Sequence, residues 1–138
     1  MMKKSVLVLF IMMNCVLVFA KEHKVSLKIT NVIPNGGNII IGIHDSKEQF
    51  DDQKSAKDFI IDSTDLILEW SYSMEEGEYV ISVYQDKNGN GYIDYSPIRT
   101  PKEPYGFTNY TSKTIPSYKK LKFNLDSDKE FVIPLFEM

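Results

Sequence analysis

The sequence predicts an all-β domain, an antiparallel β-sandwich of about seven strands, immunoglobulin-like or transthyretin-like, with one long structured loop. Three observations predict it. Apolar and polar residues alternate with period two in several short runs, turn-forming residues recur between those runs, and helical periodicity is almost absent. The 138 residues, 43% hydrophobic and 25% charged, suit one domain with its own core, and seven Gly and one Cys exclude a collagen-like or disulfide-dense chain.

Residues 1–20 stand apart from that domain. Lys3 and Lys4 form a basic start, residues 5–19 an apolar run, and Val18-Phe19-Ala20 places small residues where a signal peptidase cuts. Cleavage after Ala20 is expected, leaving 21–138 as a single exported domain, periplasmic or extracellular. An apolar run of this length falls short of the roughly 20 residues that span a bilayer, so no membrane insertion is expected after cleavage. Cys15 lies inside the run, but Met12-Met13-Asn14 before it lacks the small residue that lipidation wants. The exported chain then has no Cys, and its fourteen basic and nineteen acidic residues give a net charge of −5. That charge argues against a nucleic-acid partner.

The elements follow in order. Val25, Leu27 and Ile29 alternate with Ser26, Lys28 and Thr30 as a first strand with one wet face. Pro34-Asn35-Gly36-Gly37 makes a turn, and residues 38–44, with Ile39-Ile40-Ile41-Gly42-Ile43, form a central strand buried on both faces. Residues 45–58 are polar and fit a short surface helix or a loop equally. Phe59-Ile60-Ile61 is a short strand, and Leu66, Leu68, Trp70 and Tyr72 share one face of the next, with Trp70 expected in the core. Glu75-Glu76-Gly77 turns into a strand over residues 78–84. Residues 85–117 hold four of the six Pro and three of the seven Gly and are expected to be a long structured loop. Strands at 121–125 and 131–136 close the chain.

The chemistry concentrates at Asp86-Lys87-Asn88-Gly89-Asn90-Gly91-Tyr92-Ile93-Asp94. Calcium wants six to eight oxygens, and a tight loop supplies them from side chains at positions 1, 3, 5 and 9 and a carbonyl at 7. Asp86, Asn88, Asn90, the Tyr92 carbonyl and Asp94 fill those places, and Gly91 stands at position 6, where such loops turn sharply. Position 12 is Pro97 instead of a bidentate Glu and the flanks are not helical, so this is no EF-hand. Glu103 is the nearest candidate for the missing carboxylate, ahead of Asp45 and Asp126. With so few carboxylates, affinity in the extracellular range of about 10⁻⁴–10⁻³ M is expected. The alternative is that Asn-Gly-Asn-Gly is a turn whose Asp side chains cap backbone N–H groups.

Residues 77–86, the Asn88-Gly89-Asn90-Gly91 and Asp94 that follow, and Pro101-Lys102-Glu103-Pro104-Tyr105-Gly106-Phe107-Thr108-Asn109 resemble a bacterial family of exported proteins, domain-of-unknown-function family 2141. The resemblance is strongest over 77–109. It implies export and a β-sandwich and names no activity. Gln85 departs from it, because the family often carries His there.

Catalytic readings are weaker. The exported chain has only His23 and His44 as imidazoles, and His44 at a strand end suggests a satisfied structural residue more than a base. Two His without Cys do not make a zinc site. Tyr105 and Phe107 on either side of Gly106, with Tyr92, Tyr95, Tyr110 and Tyr118 nearby, form either a stacking platform for a sugar or an extended peptide or, preferably, the means of folding the loop onto the sandwich. Asn109-Tyr110-Thr111 matches a glycosylation acceptor, a tripeptide frequent by chance. The function expected is a calcium-stabilised binding module for a protein or glycan of the envelope or exterior. The alternative is a small hydrolase using carboxylates of the 85–117 loop, with Asp86 and Glu103 as a glycosidase-like pair.

Overall fold

The structure, a computed structural model, describes residues 20–138, so the leader expected at residues 1–20 lies outside the described residues except for Ala20. Among the described residues eight strands form two sheets. Strand β1 (Glu22–Thr30) is flanked by β4 (Leu68–Glu75) and β8 (Lys129–Pro134) in one sheet, ordered β4-β1-β8. The other runs β3 (Lys57–Ile61), β2 (Asn38–His44), β5 (Gly77–Asp86), β6 (Tyr105–Phe107), with β7 (Phe123–Leu125) paired to the start of β5. The all-β sandwich is as the sequence predicts. One pairing departs from antiparallel order: β8 runs parallel to β1, Val25 opposite Lys129 through Thr30 opposite Pro134, because the turn at 126–128 carries the chain from the second sheet across to the first. Asp128 secures that crossing by accepting the Lys24 N–H at 2.8 Å.

Period-two alternation gives each strand a face for the core. Val25, Leu27 and Ile29 from β1 meet Ile39, Ile41 and Ile43 from β2 and Ile81 and Val83 from β5 in one buried aliphatic cluster between the sheets. Trp70 is half-buried rather than central. It lies on β4 and packs on Phe59 of β3, ring centroids 5.0 Å apart, and on Tyr72, so two edge strands use their aromatics to close the side of the sandwich. Leu66 and Ile67 precede β4 and are exposed.

Residues 45–58 resolve into helix α1 (Lys47–Asp51), capped by Ser46, whose hydroxyl accepts the Gln49 N–H at 3.2 Å, followed by the start of β3. The 85–117 segment is not strandless: it contains β6, and the 121–125 strand expectation becomes helix α2 (Tyr118–Leu121) followed by β7. These pieces fold onto the outer face of the larger sheet. There Val80, Tyr105, Tyr110, Tyr118 and Leu121 make a second buried cluster, with Phe50, Tyr84 and Phe107 against it. Among the described residues no helix is long and apolar enough to cross a membrane.

Candidate functional site

Two features meet on that outer face: the 86–94 loop at the end of β5, and a groove beside it. Asp86 ends β5 and is buried. Its Oδ1 accepts the Gly89 N–H at 3.1 Å and its Oδ2 the Gly91 N–H at 2.8 Å. Gly91 takes φ +79°, a region that L side chains rarely adopt, and so lets the chain fold over Asp86. Asn88 and Asn90 cap in the same way, their Oδ1 atoms accepting the N–H groups of Asn90 and Tyr92 at 3.2 and 3.0 Å. Their amide Nδ2 atoms donate to Asp94, Asn88 at 2.6 Å and Asn90 at 3.0 and 3.1 Å to its two oxygens.

Glu103, 17 residues after Asp86 in the chain, is buried against the loop at 4% exposure. Its Oε1 accepts the Lys87 N–H at 3.1 Å and its Oε2 the Asp94 N–H at 3.2 Å, so one carboxylate clasps both ends of the loop. Burial pushes its pKa up, and the nearby charges of Asp94 and Asp86 push the same way. None of the ion pairs among the described residues involves Asp86, Asp94 or Glu103. A hollow of about 410 Å³ beside the loop is lined by Asn88, Asp94 and Glu103, and also by Lys87 and Lys102. Among the described residues no three His, Cys, Asp or Glu side chains converge as a metal cage.

All six residues singled out from sequence thus gather at one loop, with Asp45 and Asp126 outside its hydrogen-bond network. Tyr92 sends its side chain outward, 74% exposed, while its N–H holds Asn90. Gln85, where the resembled family often has His, is fully buried and structural: it accepts the Ile33 N–H at 2.9 Å and donates to the carbonyls of Ile33 and Gly37 at 2.8 and 3.0 Å, pinning the β1–β2 turn.

The groove, about 800 Å³, runs along the outer face of the larger sheet. Register places Asp58, Gly42, Ser82 and Phe107 side by side across β3, β2, β5 and β6. Phe50 of α1, Tyr84, Tyr92, Tyr95 and Arg99 form its walls. Tyr84 joins groove to loop, donating its hydroxyl to the Gly91 carbonyl at 3.0 Å; burial first, then nearby carboxylates, push its pKa up to about 12, so it remains a donor. His44 is buried at the floor. Its Nδ1 stands 2.6 Å from the Lys54 carbonyl and its Nε2 2.9 Å from the Ser82 hydroxyl. A carbonyl only accepts, so Nδ1 carries the proton and Nε2 accepts from Ser82. Burial lowers the His44 pKa, outweighing the Lys54 contact and the Asp58 and Asp45 charges, which raise it.

Sequence reasoning found the loop and passed over the groove. Asp58, Ser82 and His44 lie far apart in sequence, and their one signal was a Gly inside an isoleucine-rich strand, which marks a close approach. Tyr110 and Tyr118 are buried, as expected of residues that fold the segment back, whereas Tyr92 and Tyr95 stay open to solvent.

The sandwich, its carboxylate-clasped loop and the adjoining groove define a small all-β domain with one worked face. The chain belongs to the DUF2141 family, described as an uncharacterized protein conserved in bacteria, whose model matches residues 27–133. Neither the search of curated proteins nor that of solved structures finds a match.

Proposed function

We propose that this domain is an exported glycan-binding module whose ligand lies in the outer-face groove, with the 86–94 loop as a calcium-ordered wall. The observation that carries the reading is the lining. Open tyrosine rings at Tyr92 and Tyr95 line the same channel as Asp58, Ser82 and Arg99, and it is large enough for a short saccharide. Sugars present C–H faces that pack on such rings and hydroxyls that need paired donors and acceptors. Tyr92 in particular buries little against its own domain.

Calcium belongs to this reading through the loop. Three carboxylates lie near one another, none of them in an ion pair among the described residues, and burial first and then the charges of Asp94 and Asp86 raise the Glu103 pKa. A cation there requires the Asn88 and Asn90 amides to turn their oxygens inward in place of the Nδ2 atoms that now face Asp94. Tyr84 would carry that ordering to the groove. The hydrolase alternative is less favoured, because Asp86 and Glu103 both engage backbone N–H groups with both oxygens.

Titration calorimetry against a panel of neutral and charged oligosaccharides tests the proposal. At least one should bind, and Tyr92→Ala should weaken it about tenfold, one stacking contact's worth, while leaving the melting point unchanged. Absence of binding across the panel, binding only of peptides, or binding indifferent to Tyr92 and Tyr95 overturns it.

A further inference from the structure

Charge is not spread evenly along this chain. Residues 87–122, which supply much of the groove's lining, carry seven of the fourteen basic residues of 21–138 and two of the nineteen acidic ones, so this segment is net +5 and the remainder net −10. Neither of its carboxylates reaches outward: Glu103 is buried, and Asp94 is held by the Asn88 and Asn90 amides. Lys87 pairs with Glu137, Lys122 with Glu78, and Lys113 donates to the Glu137 carbonyl. Arg99, Lys102, Lys119 and Lys120 are exposed and enter none of the ion pairs among the described residues. The same segment holds the two most exposed large apolar side chains among the described residues, Ile98 at 82% and Ile115 at 87%. Both stand on anchored loops. Ile98 is at the tip of a hairpin closed by the Tyr95 to Pro101 bridge, by the Ser96 N–H on the Thr100 carbonyl at 2.8 Å and by the Arg99 N–H on the Ser96 carbonyl at 2.9 Å. Ile115 follows Thr114, whose carbonyl accepts the hydroxyl of buried Tyr110 at 2.6 Å. Arg99 and Ile115 both line the groove, so both loops belong to the same outer face.

We propose that this basic rim docks the domain on an anionic lipid surface, with Ile98 and Ile115 entering the headgroup region and Arg99, Lys102, Lys119 and Lys120 meeting lipid phosphates. The inference goes beyond the groove's ligand and does not rest on it. A single exposed apolar residue is ordinary on a protein surface. The argument lies in the coincidence of apolar tips with flanking cations: Ile98 has Arg99 beside it and Lys102 four residues on, and Ile115 lies between Lys113 and the pair Lys119 and Lys120. A lipid surface presents anionic phosphates above a hydrocarbon boundary, so the attraction of each cation adds to the burial of the tips. A saccharide would use the cations and leave the isoleucines in water, since sugars pack on aromatic rings. Other exposed apolar residues lie among acids, Ile60 between Asp58 and Asp62 in the chain and Leu66 next to Asp65, where an anionic surface is repelled. The net charge of −5 conceals the rim, because that sum averages two regions of opposite sign. Such docking is peripheral and needs no spanning segment.

Vesicle sedimentation tests it, using residues 21–138, which contain both buried clusters whole. The vesicles are phosphatidylcholine alone or phosphatidylcholine with about one-third phosphatidylglycerol, at low salt and at about 0.5 M salt, where exposed charges are screened. Binding to the anionic vesicles should exceed binding to the neutral ones about tenfold or more and fall in high salt. Lys119→Gln with Lys120→Gln should weaken it about twentyfold, at about fivefold for each cation lost. Ile98→Ser with Ile115→Ser should weaken it about tenfold, and Ile98→Leu with Ile115→Leu should leave it unchanged. All four side chains are exposed, so the melting point should stay the same in every variant. Equal binding to both vesicle types, or sedimentation with neither, overturns the proposal. Salt-sensitive binding that is indifferent to the isoleucines also overturns it and assigns the rim to an anionic polymer. None of these results alters the saccharide titrations, and a failure of those titrations leaves the lipid result standing.

Discussion

The larger sheet presents two faces built from alternate residues of the same strands, and they serve opposite ends. Toward the smaller sheet β2 and β5 offer Ile39, Ile41, Ile43, Ile81 and Val83, all buried in a dry cluster. One residue along the chain in each case, the outer face offers Gly42, His44, Ser82 and Tyr84, polar or small groups with a groove over them. The inner face stabilises through the area it removes from water, which demands size and no polar atoms. The outer face keeps polar atoms because each has a partner, His44 between Lys54 and Ser82, and Asp86 between Gly89 and Gly91. Ile81 and Ser82 are chain neighbours, yet a core holds the first and a candidate ligand site the second.

The sharpest way to break that contrast is to truncate both neighbours. Ile81→Ala should cost about 2–5 kcal/mol in urea unfolding, from lost burial and the cavity left behind. Ser82→Ala should cost less than about 1.5 kcal/mol, because it deletes a hydroxyl at an accessible floor and leaves His44 Nε2 able to meet water. Equal costs would mean that the floor around Ser82 is packed as tightly as the inner face and is not a site.

A middle-sized effect belongs to the loop. With free calcium at ten times Kd, mass action gives about 1.4 kcal/mol of stabilisation, several degrees in Tm for a domain of this size. Magnesium should do less, because it holds its waters and wants a stricter octahedron. Asp86→Ala should abolish the calcium response. Thermal melts with calcium, with magnesium and with chelator check this; three coincident curves would leave the loop as a capped turn, its Asx bonds sufficient in themselves.

The smallest effect concerns His44. Burial places its folded-state pKa below the ordinary 6.5, so the unfolded chain takes up the proton first as acid is added. Stability should therefore fall as pH drops through 6.5 toward the folded value, with a slope of at most about 1.4 kcal/mol per pH unit, and be fully present above that window. His44→Gln should remove this component from the pH dependence of denaturant midpoints. Asp58 and Asp45, the carboxylates whose charges act on His44, moderate the loss. A slope unchanged in His44→Gln would assign the acid sensitivity elsewhere.

Local pattern carried most of the fold. Alternation in Val25-Ser26-Leu27-Lys28-Ile29 and in residues 78–84 reports which side of a pleated chain meets water, so strand positions and core aliphatics were legible one segment at a time. The spacing from Asp86 to Asp94 was legible for the same reason: a nine-residue loop is a local object, and Asn-Gly chemistry is set by φ and short-range hydrogen bonds. What the sequence did not contain was any relation between distant segments. It left Trp70 in the core, because alternation tells inward from outward but not centre from edge; only the strand order puts β3 and β4 at the open side. It left β8 unassigned in direction until the crossing at Asp128 made it parallel to β1.

Glu103 shows the boundary between the two kinds of information. Its candidacy came from proximity in sequence, but its double hold on the Lys87 and Asp94 N–H groups arises from the return of the 101–104 segment, where Lys102 N–H meets the Asp94 carbonyl at 2.8 Å and Gln85 N–H the Pro104 carbonyl at 2.9 Å. The groove lies wholly on the tertiary side. Asp58, Gly42 and Ser82 become neighbours only through β3-β2-β5 register, a juxtaposition that no single stretch of chain encodes. The sequence by itself determined most of the strands, the aliphatic core and the oxygen-rich loop, because each follows from residues a few positions apart, whereas β6 and α2 form only where the 85–121 segment packs on the sheet. Tertiary structure alone decided what the loop stands beside, because burial and proton inventory depend on every segment that packs around a group.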